Sequence, residues 1–91
     1  MIPLSPAAVP RVTPKARLVW DDVRHRDVLL YPEGLVTLSP TAKEILRLCD
    51  GGHTLAEIVA ALKRRYRGEE IERDVVTLLE GLAGKGLVRW W

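Results

Sequence analysis

The chain has one cysteine among its 91 residues, which excludes an intramolecular disulfide framework. It has no apolar run near the roughly 20 residues that cross a bilayer. Its N-terminus lacks a basic stretch and is broken by prolines, so it does not read as a secretory signal. An excess of one charge is also missing. The formal net charge of +2 is too small to point to nucleic acid or a membrane surface. The phosphate-cradling, dinucleotide-binding, zinc-protease and nucleophile-elbow motifs are absent. His25, His53 and Cys49 occur at no recognised metal-ligand spacing. Cys49 falls in line with Ala42, Ile45 and Leu46 and reads as a small core residue. The abundant carboxylates fall on solvent faces and helix starts, and nothing assembles a nucleophile, a base and an orienting residue. These absences predict a cytoplasmic, non-enzymatic protein with no metal, cofactor or membrane partner.

The length suits one domain that buries roughly 60–70% of its unfolded surface, with little room for a deep catalytic cavity. Pro3, Pro6, Pro10 and Pro14 forbid a helix at the start, so residues 1–14 read as a flexible arm and 15–91 as the folded domain. Such an arm is either a tail or a segment that docks on a partner or another copy. Ala16, Leu18 and Trp20 alternate as a half-buried strand, and Val28 to Tyr31 form a second that pairs with it as a hairpin. Pro32-Glu33-Gly34 is a turn leading into a short strand, Leu35 to Leu38.

Ser39-Pro40, or Thr41 with Glu44, opens a first helix over about 40–50, and Asp50-Gly51-Gly52 stops it. Thr54 to Glu57 is a capping box for a second helix with Leu55, Ile58, Val59, Leu62 and Tyr66 inward and Gly68 at its end. A third helix runs from Glu69 or Glu70 to Gly84. Its stripe of Ile71, Val75, Leu78, Leu79 and Leu82 is widened by Val76 and Ala83, as for a helix that meets two things. Leu87 to Trp91 can add a last strand, with both tryptophans expected to pack. The expected class is α+β and winged-helix-like, a three-stranded antiparallel sheet followed by a three-helix bundle.

Winged-helix units often bind DNA. Here residues 69–86 carry Glu69, Glu70, Glu72, Asp74 and Glu80 against Arg73 and Lys85, which would repel phosphate. Lys63, Arg64, Arg65 and Arg67 complement the end of the second helix, or form a patch for an acidic partner. Binding through the sheet is the other route. Leu35, Val36, Thr37 and Leu38 make a short edge strand to which an extended peptide can add. Arg73, Val76, Thr77 and Glu80 on the third helix make the opposite wall. The same edge could instead pair two copies in a homodimer.

Leu29-Leu30-Tyr31-Pro32-Glu33-Gly34, Leu38, Thr41-Ala42, Ile45-Leu46, Asp50-Gly51, Thr54, Ile58, Tyr66, Asp74-Val75, Leu79 and Leu82 together resemble the PqqD family over residues about 15–89. The resemblance implies a small chaperone in pyrroloquinoline quinone biosynthesis. Members bind the ribosomally made precursor peptide PqqA and present it to the radical S-adenosylmethionine enzyme PqqE. In this fold the leader peptide pairs with the third strand and lies against the third helix. On this chain those are Leu35 to Leu38 and the flank of residues 73–80.

Overall fold

A computed structural model describes residues 2–91. In chain order the elements are β1 (Pro10–Val12), β2 (Arg17–Asp21), β3 (Arg26–Tyr31), β4 (Gly34–Thr37), α1 (Pro40–Leu48), α2 (Leu55–Arg65), α3 (Ile71–Gly84) and β5 (Val88–Trp90). The expected hairpin extends into an antiparallel sheet of order β2-β3-β4. The alternation of β3 gives it two faces. Leu29 pairs with Leu18 on one side and Val36 on the other, and that face packs into the main core. In the β2–β3 connection Asp21 accepts hydrogen bonds from the backbone N–H groups of Val23 and Arg24, and His25 adopts a left-handed φ of 52°.

The helix boundaries follow their caps. Ser39 Oγ accepts from the Ala42 N–H, and Pro40 occupies the first helical position. This decides between the two caps that the sequence offers α1. After α1, Gly51 takes the left-handed conformation at φ 81°. Thr54 and Glu57 form the capping box of α2 in both directions. That helix stops at Arg65, with Tyr66 as its C-cap, earlier than Gly68 implies. Leu46, Ile58, Leu79 and Leu82 bring the three helices onto Leu29 and Leu38 of the sheet. Each fully buried leucine or isoleucine contributes about 1.5–3 kcal/mol.

The three-stranded sheet is not the whole β structure. A second, two-stranded sheet pairs β1 with β5 antiparallel, so the fold contains two sheets where the sequence predicts one. This gives the proline-rich segment a different place from a loose arm. Ala8 is buried in the core, Val9 exchanges backbone hydrogen bonds with Trp91, and the Leu55 N–H donates to the Ala8 carbonyl. Pro10 is compatible with a strand because Val9–Trp91 is the hydrogen-bonded pair. By alternation Pro10–Trp90 is a non-bonded pair, and the donor that proline lacks faces away from β5. Its carbonyl accepts from the Gly51 N–H on that outer side. The two tryptophans diverge. Trp90 is 8% exposed and donates its Nε1–H to the Ile2 carbonyl, whereas Trp91 is 63% exposed. No helix among the described residues is long and apolar enough to cross a membrane.

Candidate functional site

β4 is an outer strand of the three-stranded sheet, and its register decides which backbone groups are free. The Leu38 N–H donates to the Asp27 carbonyl at 2.9 Å. Alternation along the ladder then makes Val36–Leu29 and Gly34–Tyr31 the bonded pairs, and Thr37–Val28 and Leu35–Leu30 the non-bonded ones. The N–H and C=O groups of Leu35 and Thr37 therefore point away from β3, along the open edge. Those of Val36 point inward. Side chains alternate perpendicular to this. Val36 is half-buried against the core and Leu38 is buried in it, while Leu35 is half-buried and Thr37 exposed on the other face. Of the four strand residues singled out from the sequence, two carry free backbone and two anchor the strand.

Asp27, which is the register partner of Leu38, holds Lys43 of α1 at 3.1 Å. This ion pair ties the end of β4 to the first helix. Burial of Leu38 and the Ser39 cap fix the same junction from below. The edge is thus held on a rigid support at its C-terminal end.

On α3, Arg73, Val76, Thr77 and Glu80 recur at helical spacing and share one flank. Val76 is half-buried, and Arg73, Thr77 and Glu80 are exposed. Arg73 pairs with Glu70 at 2.7 Å in an exposed i,i+3 contact that contributes little. Val75, Leu79 and Leu82 face the core. Glu72, on the same side of that buried stripe as Val76, borders a groove shared with Leu55, Ala56 and Val59 of α2. The opposite flank presents Ile71 and Leu78, both half-buried against the core. Sequence reasoning assigned these two to the core stripe and passed over their lateral position. Their position roughly 50–70° around the helix from the stripe's centre, on the side away from Val76, was the signal that could have separated them. The charges of α3 are Glu72, Asp74 and Glu80 against Arg73, so its surface is acidic.

Cys49 is buried and donates its Sγ–H to the Ile45 carbonyl at 3.3 Å; burial, then the neighbouring Asp50 charge, push its thiol up to about 12. No group of three or more His, Cys, Asp or Glu side chains suited to a metal occurs among the described residues. The arrangement offers backbone donors and acceptors beside apolar half-buried side chains, which is chemistry for holding an extended chain.

The family model described as coenzyme PQQ synthesis protein D (PqqD) matches residues 27–88. A PqqA binding protein of Methylococcus capsulatus is 42% identical over 94% of this chain and 92% of its own length. That span reaches into the first 14 residues. A PqqA binding protein of Rhodopseudomonas palustris is 43% identical over 96% of this chain and 87% of its own. The solution structure of the PqqD part of Methylobacterium extorquens PqqCD, described as a stand-alone recognition element for ribosomally synthesised and modified peptides, superposes with a TM-score of 0.75. It is 37% identical and covers 89% of this chain and 88% of that one. A lasso peptide synthetase B1 in complex with its leader peptide also superposes with a TM-score of 0.75, at 27% identity over 89% of this chain and 98% of that one.

Proposed function

The chain belongs to the PqqD family, and from that premise we propose that it is a non-catalytic adaptor that binds the precursor peptide PqqA by strand addition at β4 and presents it to PqqE. The observation that carries the reading is the open edge, with the N–H and C=O groups of Leu35 and Thr37 turned outward. An incoming strand takes up these groups, and each hydrogen bond contributes about 0.5–1.5 kcal/mol. Leu35 and Thr37 offer side chains on one face of the added strand, and Val36 and Leu38 keep β4 seated on the core. The leader-peptide complex of a structural relative supports a peptide-binding role for this fold.

The proposed helical wall is Arg73, Val76, Thr77 and Glu80. The groove that Glu72 shares with α2 favours a second assignment, in which the wall is the opposite flank with Ile71 and Leu78. Val76→Ala and Leu78→Ala separate the two, because only the variant on the contacting flank weakens the peptide.

Titration of labelled protein with PqqA peptide is expected to shift the amides of Leu35 and Thr37 most. Thr37→Pro leaves the β3–β4 ladder intact and removes one outward donor, so it is expected to weaken the peptide about tenfold. Absent shifts over residues 35–38, or full affinity in a folded Thr37→Pro protein, would refute strand addition here. Presentation to PqqE is read separately, as faster PqqE turnover of PqqA with the chain present than without it. The free edge also fits a second copy of the chain. Light scattering across concentration distinguishes such pairing, and added PqqA is expected to dissolve it.

A further inference from the structure

The ribbon of β1 and β5 has a solvent face on which Arg11 and Arg89 stand directly opposite each other in register. Both are exposed, while Pro10, Val88 and Trp90 point into the protein. Like charges in directly opposed positions destabilise a strand pair. Among the described residues, neither arginine has a carboxylate oxygen within ion-pair distance, and neither has Lys15. Asp50 pairs with Arg11 in an isolated antiparallel β-bridge on the other side of β1, which puts the two side chains on one face. Its Oδ1 is taken by the Gly52 N–H at 2.8 Å and by His53 Nδ1 at 3.0 Å. Three cations are therefore gathered with Asp50 as the one carboxylate in register beside them, its Oδ1 already engaged.

They surround a concavity of about 570 Å³ whose remaining lining includes Trp91, Thr13 and Gly86. Clefts of this volume suit small molecules. The floor is fixed. Thr13 donates its hydroxyl to the Gly86 carbonyl at 3.0 Å and its N–H to the Leu87 carbonyl at 2.9 Å. Gly86 is left-handed at φ 73°, and a Cβ there would lie 3.4 Å from Lys15 Nζ. The missing side chain lets the ammonium lie over the floor. Trp91 contributes an aromatic surface that is more than half exposed.

We propose that this cavity is a binding site for a small planar aromatic polycarboxylate, whose ring lies against Trp91 and whose carboxylates bridge Arg11, Arg89 and Lys15. Arginine forks match carboxylates in paired hydrogen bonds, and a tryptophan face stacks on a flat ring. An anion between the two arginines removes their repulsion, so binding and ribbon stability are coupled. The site lies on elements other than β4, and its test is independent of peptide capture.

The probe is trimesate, a benzene ring carrying three carboxylates, titrated calorimetrically into the full chain at low salt. Saturable binding with Kd below about 1 mM is expected, about tenfold tighter than citrate or inorganic phosphate. Amide shifts are expected at Thr13, Gly86 and Arg89, with none at Leu35 or Thr37. Arg89→Gln is expected to weaken trimesate about tenfold while raising Tm, because the opposed charge is gone. Trp91→Ala is expected to erase the preference for trimesate over citrate. No saturation, equal affinity for citrate, or an Arg89→Gln protein with lower Tm and unchanged trimesate affinity overturns the proposal.

Discussion

Cys49 was legible from its place on the apolar face of α1, and its environment makes a sharp chemical prediction. A thiol pushed up to about 12 by burial and then by the Asp50 charge holds almost no thiolate near neutral pH. Thiol reagents at pH 8 are expected to label the folded chain only after denaturation, which mass spectrometry checks. His53 and Asp50 were not legible as a pair, because their contact depends on the turn geometry after α1. The hydrogen bond that His53 donates to Asp50 raises His53 above its ordinary 6.5, and the Gly52 N–H followed by His53 lowers Asp50 below 3.8. The signs give opposite pH limits. The His53 contribution to stability is complete below about pH 6.5 and is lost as pH rises through its folded pKa. The Asp50 contribution is present above about pH 3.8 and is lost as pH falls through its folded pKa. An NMR titration is expected to place His53 above 6.5, and Asp50→Asn is expected to bring it back down.

At the scale of elements, the caps were readable because capping is local. Ser39-Pro40 and Thr54 with Glu57 place their signals within four residues of the backbone groups that they satisfy. Thr54→Ala is expected to cost about 1 kcal/mol in chemical denaturation, by releasing the Glu57 N–H. The direction of the β4 backbone was not readable. A four-residue strand shows which side chains alternate, but the bonded and non-bonded positions depend on its partner. The sequence alone leaves Val36 and Thr37 equal as sites for proline, and the ladder separates them. Val36→Pro is expected to lower Tm by breaking a bond to β3, whereas Thr37→Pro keeps Tm and loses peptide.

Across the whole molecule, the hairpin, the third strand and three helices follow from hydrophobic period and turn chemistry near in sequence. The β1–β5 ribbon does not, because its two halves lie at opposite ends of the chain and one is dense in proline. Proline frequency argues for a loose segment only while the side on which each missing donor falls is unknown. The Ala8 carbonyl accepts from the Leu55 N–H, and the Val12 and Thr13 N–H groups donate to the Cys49 and Leu87 carbonyls, all distant in sequence. A chain lacking residues 1–9 is therefore expected to lose the Val9–Trp91 and Ala8–Leu55 bonds and the burial of Ala8. A clear fall in Tm by calorimetry is expected, whereas removal of a truly loose tail leaves Tm unchanged.

The hydrogen-bonded pair of Val9 and Trp91 also makes the chain nearly a closed ring. A short linker from residue 91 back to the start, with new ends cut at the exposed Val23–Arg24 connection, keeps every ladder described above. Such a circular permutant is expected to fold. In it β2 and β3 become the sequence-distant pair and β1 and β5 the near one, so the order in which the two sheets form during refolding is expected to reverse.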